Sequence, residues 1–127
     1  MSVFGHCLCK SVRFALEGPT NWVGHCHCDS CRRATASPVT TFIGHPDDRY
    51  SIEGEIKEYQ SSPSVTRSFC PSCGSPIFYR TTDIPGEIHF YAALLDDPTP
   101  LQPTTHWHYN EALPWLHITD DAEKQGV

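Results

Sequence analysis

The chain has 127 residues, 39% hydrophobic and 19% charged, which suits one compact domain and excludes a disordered chain or a membrane protein. Nine Lys and Arg against 15 Asp and Glu leave a net charge of −6, so nucleic acid, whose phosphates call for concentrated positive charge, is not an expected partner. No apolar run approaches the ~20 residues of a bilayer-crossing helix, so no membrane is expected either. The opening Met1-Ser2-Val3-Phe4-Gly5-His6-Cys7 has neither the basic start nor the apolar stretch of a secretory signal. A cytoplasmic protein is the expectation.

The predicted elements are short strands. Ser11 to Leu16 alternates, with Val12, Phe14 and Leu16 on one face, and ends at Gly18-Pro19. One or two helical turns are expected after Cys28, with Asp29 as the capping residue ahead of Cys31-Arg32-Arg33-Ala34. Val39 to Ile43 is β-branched and aromatic and stops at Gly44-His45-Pro46. Tyr50-Ser51-Ile52 is followed by a turn at Glu53-Gly54-Glu55, which makes Ile56 to Gln60 a candidate hairpin partner. Val65 to Phe69, Pro76 to Arg80 and Glu87 to Leu94 complete the strands. The pattern predicts a single all-β domain with no internal repeat. Residues 119–127 form a polar tail, frayed from Asp120 onward.

Seven cysteines carry the chemistry. They fall into three tight groups, Cys7-Leu8-Cys9, Cys26-His27-Cys28-Asp29-Ser30-Cys31 and Cys70-Pro71-Ser72-Cys73. An odd count in a reducing compartment argues against a disulfide framework and for metal ligands. Clustered thiolates are soft donors that select zinc or iron–sulfur. An iron–sulfur cluster would take four cysteines, and seven divides instead into four plus three. A four-thiolate zinc is closed and structural, whereas three protein ligands leave a position open. Two partitions satisfy the spacing. Cys28, Cys31, Cys70 and Cys73 could form a ribbon, leaving Cys7, Cys9 and Cys26. Alternatively, Cys7, Cys9, Cys70 and Cys73 hold one ion and Cys26, Cys28 and Cys31 the other. The second is preferred because three ligands within six residues close on an ion without long-range assembly.

These motifs are similar to those of the glutathione-dependent formaldehyde-activating enzyme family, which also includes domains resembling centromere protein V. The matching segments are Gly5-His6-Cys7-Leu8-Cys9 with Val12-Arg13-Phe14, then Cys26 to Arg33, then Phe69 to Phe78. Leu94-Leu95-Asp96-Asp97-Pro98 and Leu113-Pro114-Trp115-Leu116 extend the likeness toward the C-terminus, so that the resemblance implies a single zinc domain over residues 5–118. Lys10 and Ala36 stand where that family usually has glycine. The resemblance implies a β-tent fold of antiparallel sheets with two zinc ions. It assigns Cys7, Cys9, Cys70 and Cys73 to the structural ion and Cys26, Cys28 and Cys31 to the one near substrate. The implied activity is a carbon–sulfur lyase reaction that joins glutathione to formaldehyde.

A three-thiolate zinc should activate water poorly and suit a soft incoming thiol better, which favours thiol–aldehyde chemistry. Arg32 and Arg33, next to the triad, are the candidates for the carboxylates of glutathione, or else offset the charge of the sulfurs. His25 and His27 are expected to face away from the ion. Ser37 and Ser75 are assigned to turns, and Gly74 to a special backbone conformation. His106-Trp107-His108-Tyr109 is read as core or a covering loop, or as a pocket wall over the open position. A zinc-stabilised protein-binding module without catalysis is the alternative, and a Cys28/Cys31 redox dithiol a third. A homodimer is compatible with all three.

Overall fold

A computed structural model describes residues 2–127. The predicted all-β class is what the chain adopts, in two sheets. The smaller sheet contains β1 (Ser2–His6), β2 (Arg13–Glu17) and β5 (Tyr50–Glu53) in the order β1-β2-β5. The larger contains β3 (Trp22–Cys26), β4 (Thr40–Pro46), β6 (Lys57–Ser62), β7 (Val65–Phe69), β8 (Pro76–Thr81), β9 (Glu87–Tyr91), β10 (Thr105–Trp107) and β11 (Glu123–Lys124). Its order is β11-β10-β3-β4-β9-β8-β7-β6. One two-turn helix, α1 (Asp29–Thr35), joins β3 to β4, and 3-10 turns lie at Ala92–Leu94 and Tyr109–Glu111.

Alternation places the core. Val12, Phe14 and Leu16 are buried as their spacing predicts, and they meet Val23, Ile43, Ile88 and Phe90 of the large sheet. Phe14 stacks on Phe90 with ring centroids 4.6 Å apart. Burying such side chains contributes ~1.5–3 kcal/mol each, and this layer holds the sheets together.

Four features differ from the sequence reading. Ile56–Gln60 does not return on Tyr50–Ile52: β5 pairs with β2, and β6 pairs with β7 in the other sheet. Gly54, at φ 101°, packs on the Ser11 carbonyl so closely that a Cβ would lie 2.0 Å from it, and the chain changes sheets there. The sheets are not wholly antiparallel, since β10 runs parallel to both β3 and β11. β4 continues through Gly44 to Pro46 because the strand finds partners on both sides as far as Gly44 and on β9 to its end. The end of the chain is docked rather than frayed, with Glu123–Lys124 adding the edge strand to β10.

The candidate metal and thiol centre

The first cysteine cluster sits where the sheets meet. Cys7 and Cys9 lie in the turn from β1 to β2, and Cys70 and Cys73 in the turn from β7 to β8. All four sulfurs lie within 4.8 Å of one another, so the cluster staples the small sheet to the large one. The Cys7 and Cys9 sulfurs are 3.6 Å apart and those of Cys9 and Cys70 3.8 Å. Four sulfurs each ~2.3 Å from a tetrahedral ion stand ~3.8 Å apart, whereas a disulfide needs ~2.05 Å. The donor set therefore fits a tetrahedral metal ion. Backbone turns preset the geometry: the Val12 amide donates to the Cys7 sulfur (3.3 Å), and the Gly74 amide to the Cys70 carbonyl (2.8 Å). The Ser11 hydroxyl lies 3.0 Å from the Cys9 sulfur and 3.3 Å from that of Cys70, and Ser75 lies 3.2 Å from Cys73. The Ser75 contact helps hold the Cys73 thiol down to about 5.

The second cluster gathers Cys26, at the end of β3, with Cys28 and Cys31, their sulfurs also within 4.8 Å of one another. Cys28, not Asp29, caps the helix: its sulfur accepts from the Cys31 amide at 3.3 Å. Asp29 is instead the first helical residue, and its carboxylate binds the Arg33 guanidinium at 3.0 Å and that of Arg32 at 3.4 Å. Hydrogen bonds from Cys26 and Cys31 pull the Cys28 thiol down to about 2, and the same contact with Cys28 pushes Cys26 up. Among the described residues no fourth metal-binding side chain joins this group.

Arg67, which the sequence reading passed over, is the cation that faces these sulfurs. Its guanidinium nitrogens lie 3.7 and 3.8 Å from the Cys31 sulfur, it lies 5.0 Å from the centre of the Tyr79 ring, and its Nε donates to Ser61. Burial works most strongly against its charge, but Cys31 and Tyr91 together outweigh it and raise its pKa. A signal was present: in Val65-Thr66-Arg67-Ser68-Phe69 the arginine is in phase with two apolar residues. Arg32 spends its Nε on the His27 carbonyl as well as pairing with Asp29. Arg33 stays exposed at the rim of the cavity described next.

Two concavities meet at the triad. A polar one of about 600 Å³ is lined by Cys28, Cys31, Arg33, Ser61, Arg67 and Glu111, among others. An aromatic one of about 410 Å³ is lined by all three cysteines, Trp22, Phe42, Tyr79, Ile84, Trp107 and the Glu87–His89 pair. Register explains the second: Trp22 lies opposite Gly44, which lies opposite His89, which lies opposite Tyr79, so one face of four strands presents these side chains together.

Three further histidines, His25, His27 and His106, form a support behind the triad, with His27 and His106 buried and His25 half-buried. The Asp120 carboxylate can only accept, so His106 Nε2 donates to it (3.0 Å), leaving His106 Nδ1 to accept from His27 Nε2 (2.8 Å). His27 thus faces His106 rather than solvent, and its Nδ1 is a buried acceptor without a partner. Burial holds His27 down to about 4. His25 stacks on His106, and with Asp120 the two histidines bring a third set of donor atoms within 4.8 Å. The His106–Tyr109 segment therefore divides: His106 is core, while Trp107 and His108 line the aromatic cavity.

An all-β protein with a stapling four-cysteine cluster and an open three-cysteine cluster is the class that fold and site define. The chain belongs to the glutathione-dependent formaldehyde-activating enzyme family, which matches it over residues 2–111. A solved structure of a Rhodobacter sphaeroides protein shares the fold with a TM-score of 0.65 at 21% identity, covering 82% of this chain and 98% of that one. Curated proteins offer no match.

Proposed function

We propose that the chain joins a small-molecule thiol, glutathione, to formaldehyde or a related aldehyde at Cys26, Cys28 and Cys31, as a carbon–sulfur lyase-type enzyme. The observation that carries this reading is a three-sulfur cluster with no fourth protein donor among the described residues, open to two chemically different cavities. Cys7, Cys9, Cys70 and Cys73 hold the structural zinc in this account. The residues of the triad hold the second, which when bound offers an open position and favours the thiolate form of an incoming thiol.

The reaction itself is an addition. The thiol sulfur bonds to the carbonyl carbon, the thiol proton ends on the carbonyl oxygen, and nothing is oxidised or reduced. The chain's contribution is placement and charge. Arg67 offsets the negative sulfurs from a buried position, so the cluster tolerates another anionic sulfur nearby. Arg33 and Arg67 in the polar cavity are suited to the carboxylates of glutathione. Arg32 holds the ligand loop through the His27 carbonyl and Asp29. Holding thiol and aldehyde side by side is the main source of acceleration.

The test is the exchange rate between ¹³C-formaldehyde and its glutathione adduct, measured by NMR with zinc-replete protein. Acceleration above the spontaneous rate, lost in Cys28→Ser, is expected. No acceleration by the wild-type chain removes this activity.

A further inference from the structure

The aromatic cavity is far larger than formaldehyde needs. Its volume of about 410 Å³ falls in the ~300–1,000 Å³ range that holds drug-sized ligands, whereas formaldehyde has one carbon and one oxygen. Its walls are also built around flat rings. Trp22 lies over Gly44, where a Cβ would come within 2.2 Å of the indole, and Trp107 lies over Gly24, where a Cβ would come within 2.7 Å. The two indoles meet edge to face at 5.8 Å, and Phe42 and Tyr79 continue the surface at 5.7 Å from each other. The three sulfurs line the same cavity, so a group seated among these rings is within reach of a carbon bonded to a thiol at the triad.

The polar part of the lining narrows the class. Glu87 is charged: burial pushes its carboxyl up, but hydrogen bonds from Asn21, His89 and Trp22 outweigh this and hold it below its ordinary value. Burial keeps His89, its 2.8 Å partner, below its own ordinary value, so it adds no compensating cation at neutral pH. The cavities also divide the charge, with Arg33 and Arg67 lining the polar one and neither lining this one.

We propose that the pocket formed by Trp22, Phe42, Tyr79, Ile84 and Trp107 receives a neutral aryl group, making the aldehyde partner of this chain an aromatic aldehyde. The inference rests on the reading of Cys26, Cys28 and Cys31 as a thiol–aldehyde centre. The addition balances as for formaldehyde: a carbon–sulfur bond forms, the thiol proton passes to the carbonyl oxygen, and the aryl group stays in the pocket.

Titration calorimetry of the zinc-replete protein with S-benzylglutathione and S-methylglutathione tests it, since only the group on sulfur differs. Burying a phenyl ring predicts a Kd about thirtyfold lower for the benzyl compound. S-(4-carboxybenzyl)glutathione, which brings an anion toward Glu87, should lose that advantage. Ile84 is 44% exposed, so Ile84→Asp does not threaten the fold, and it should cut the benzyl preference to about threefold or less while leaving S-methylglutathione unaffected. Trp107→Leu should reduce the preference as well. Equal Kd values, no binding of either compound, or a preference that survives both substitutions overturns the inference. Formaldehyde exchange without a benzyl preference would sink only the aryl pocket. A benzyl preference without exchange of either formaldehyde or benzaldehyde adducts would leave an aryl-binding pocket but overturn the proposed reaction and, with it, the aldehyde assignment.

Discussion

Lys10 and Ala36 hold left-handed backbone beside the two cysteine clusters, at φ 67° and 55°. Lys10 turns the chain between Cys9 and Ser11, and its amide reaches the Cys7 carbonyl at 3.0 Å. Ala36 ends α1, its amide bonded to the Arg32 carbonyl. These are the two positions where the resemblance expects glycine, and the geometry gives the reason, because a Cβ is disfavoured there. Gly74, at φ 80°, meets the same demand in the turn after Cys73. Lys10→Gly and Ala36→Gly should therefore each stabilise the chain by about 1 kcal/mol, the strain relieved exceeding the added freedom of the unfolded state. Urea unfolding at saturating zinc checks this, and an unchanged or lower midpoint would count against it. The cysteine groups were legible because ligand spacing is local. Arg67 was less legible, because what makes it important is the Cys31 sulfur it faces, 36 residues away in the chain.

At the scale of elements, alternation and turn signals located most of the strands but not their partners. Val65–Phe69 forms β7 as expected, and Pro76–Arg80 lies within β8. The hairpin expected across Gly54 fails because a turn signal tells where the chain bends, not which sheet it joins next. β10 and β11, at three and two residues, are too short to leave a period, and their parallel pairing is set by docking on β3. The aromatic cavity was illegible for a related reason. Its rings come from β3, β4, β8 and β10, and only cross-strand register brings them to one face. Gly44 is central to that register: a methyl there would drive out Trp22 and break the 3.0 Å bond from its indole to Glu87. Gly44→Ala should cost about 2 kcal/mol and expose Trp22. A blue-shifted or unchanged tryptophan emission at full stability would show that Trp22 does not depend on the glycine.

At the scale of the molecule, the two sheets share one core and one staple, and acid should weaken their union through β9. Burial holds His89 below its ordinary value of 6.5, despite the opposing Glu87 carboxylate, so the unfolded chain binds a proton that the folded chain resists. The stability gained from that neutral histidine is present above pH 6.5 and is lost as the pH falls through 6.5 toward the folded value. Glu87 adds a loss in the same direction below its ordinary 4.5. The wild type should therefore lose its stability margin over His89→Gln between pH 7 and pH 5 at saturating zinc, as read by urea midpoints. Parallel curves would mean that His89 does not titrate with folding.

The central claim is a division of labour between two cysteine clusters, one joining the sheets and one open to the cavities. It is tested most directly by metal content and thermal unfolding of Cys70→Ser and Cys28→Ser, side by side with the wild type. The wild type should hold two zinc ions per chain. Cys70→Ser should lose the cooperative transition, since structural metal binding is folding energy in a domain this small. Cys28→Ser should keep one zinc and a cooperative transition close to that of the wild type. Equal unfolding of the two variants, or a Cys70→Ser chain that melts like the wild type, would contradict the account.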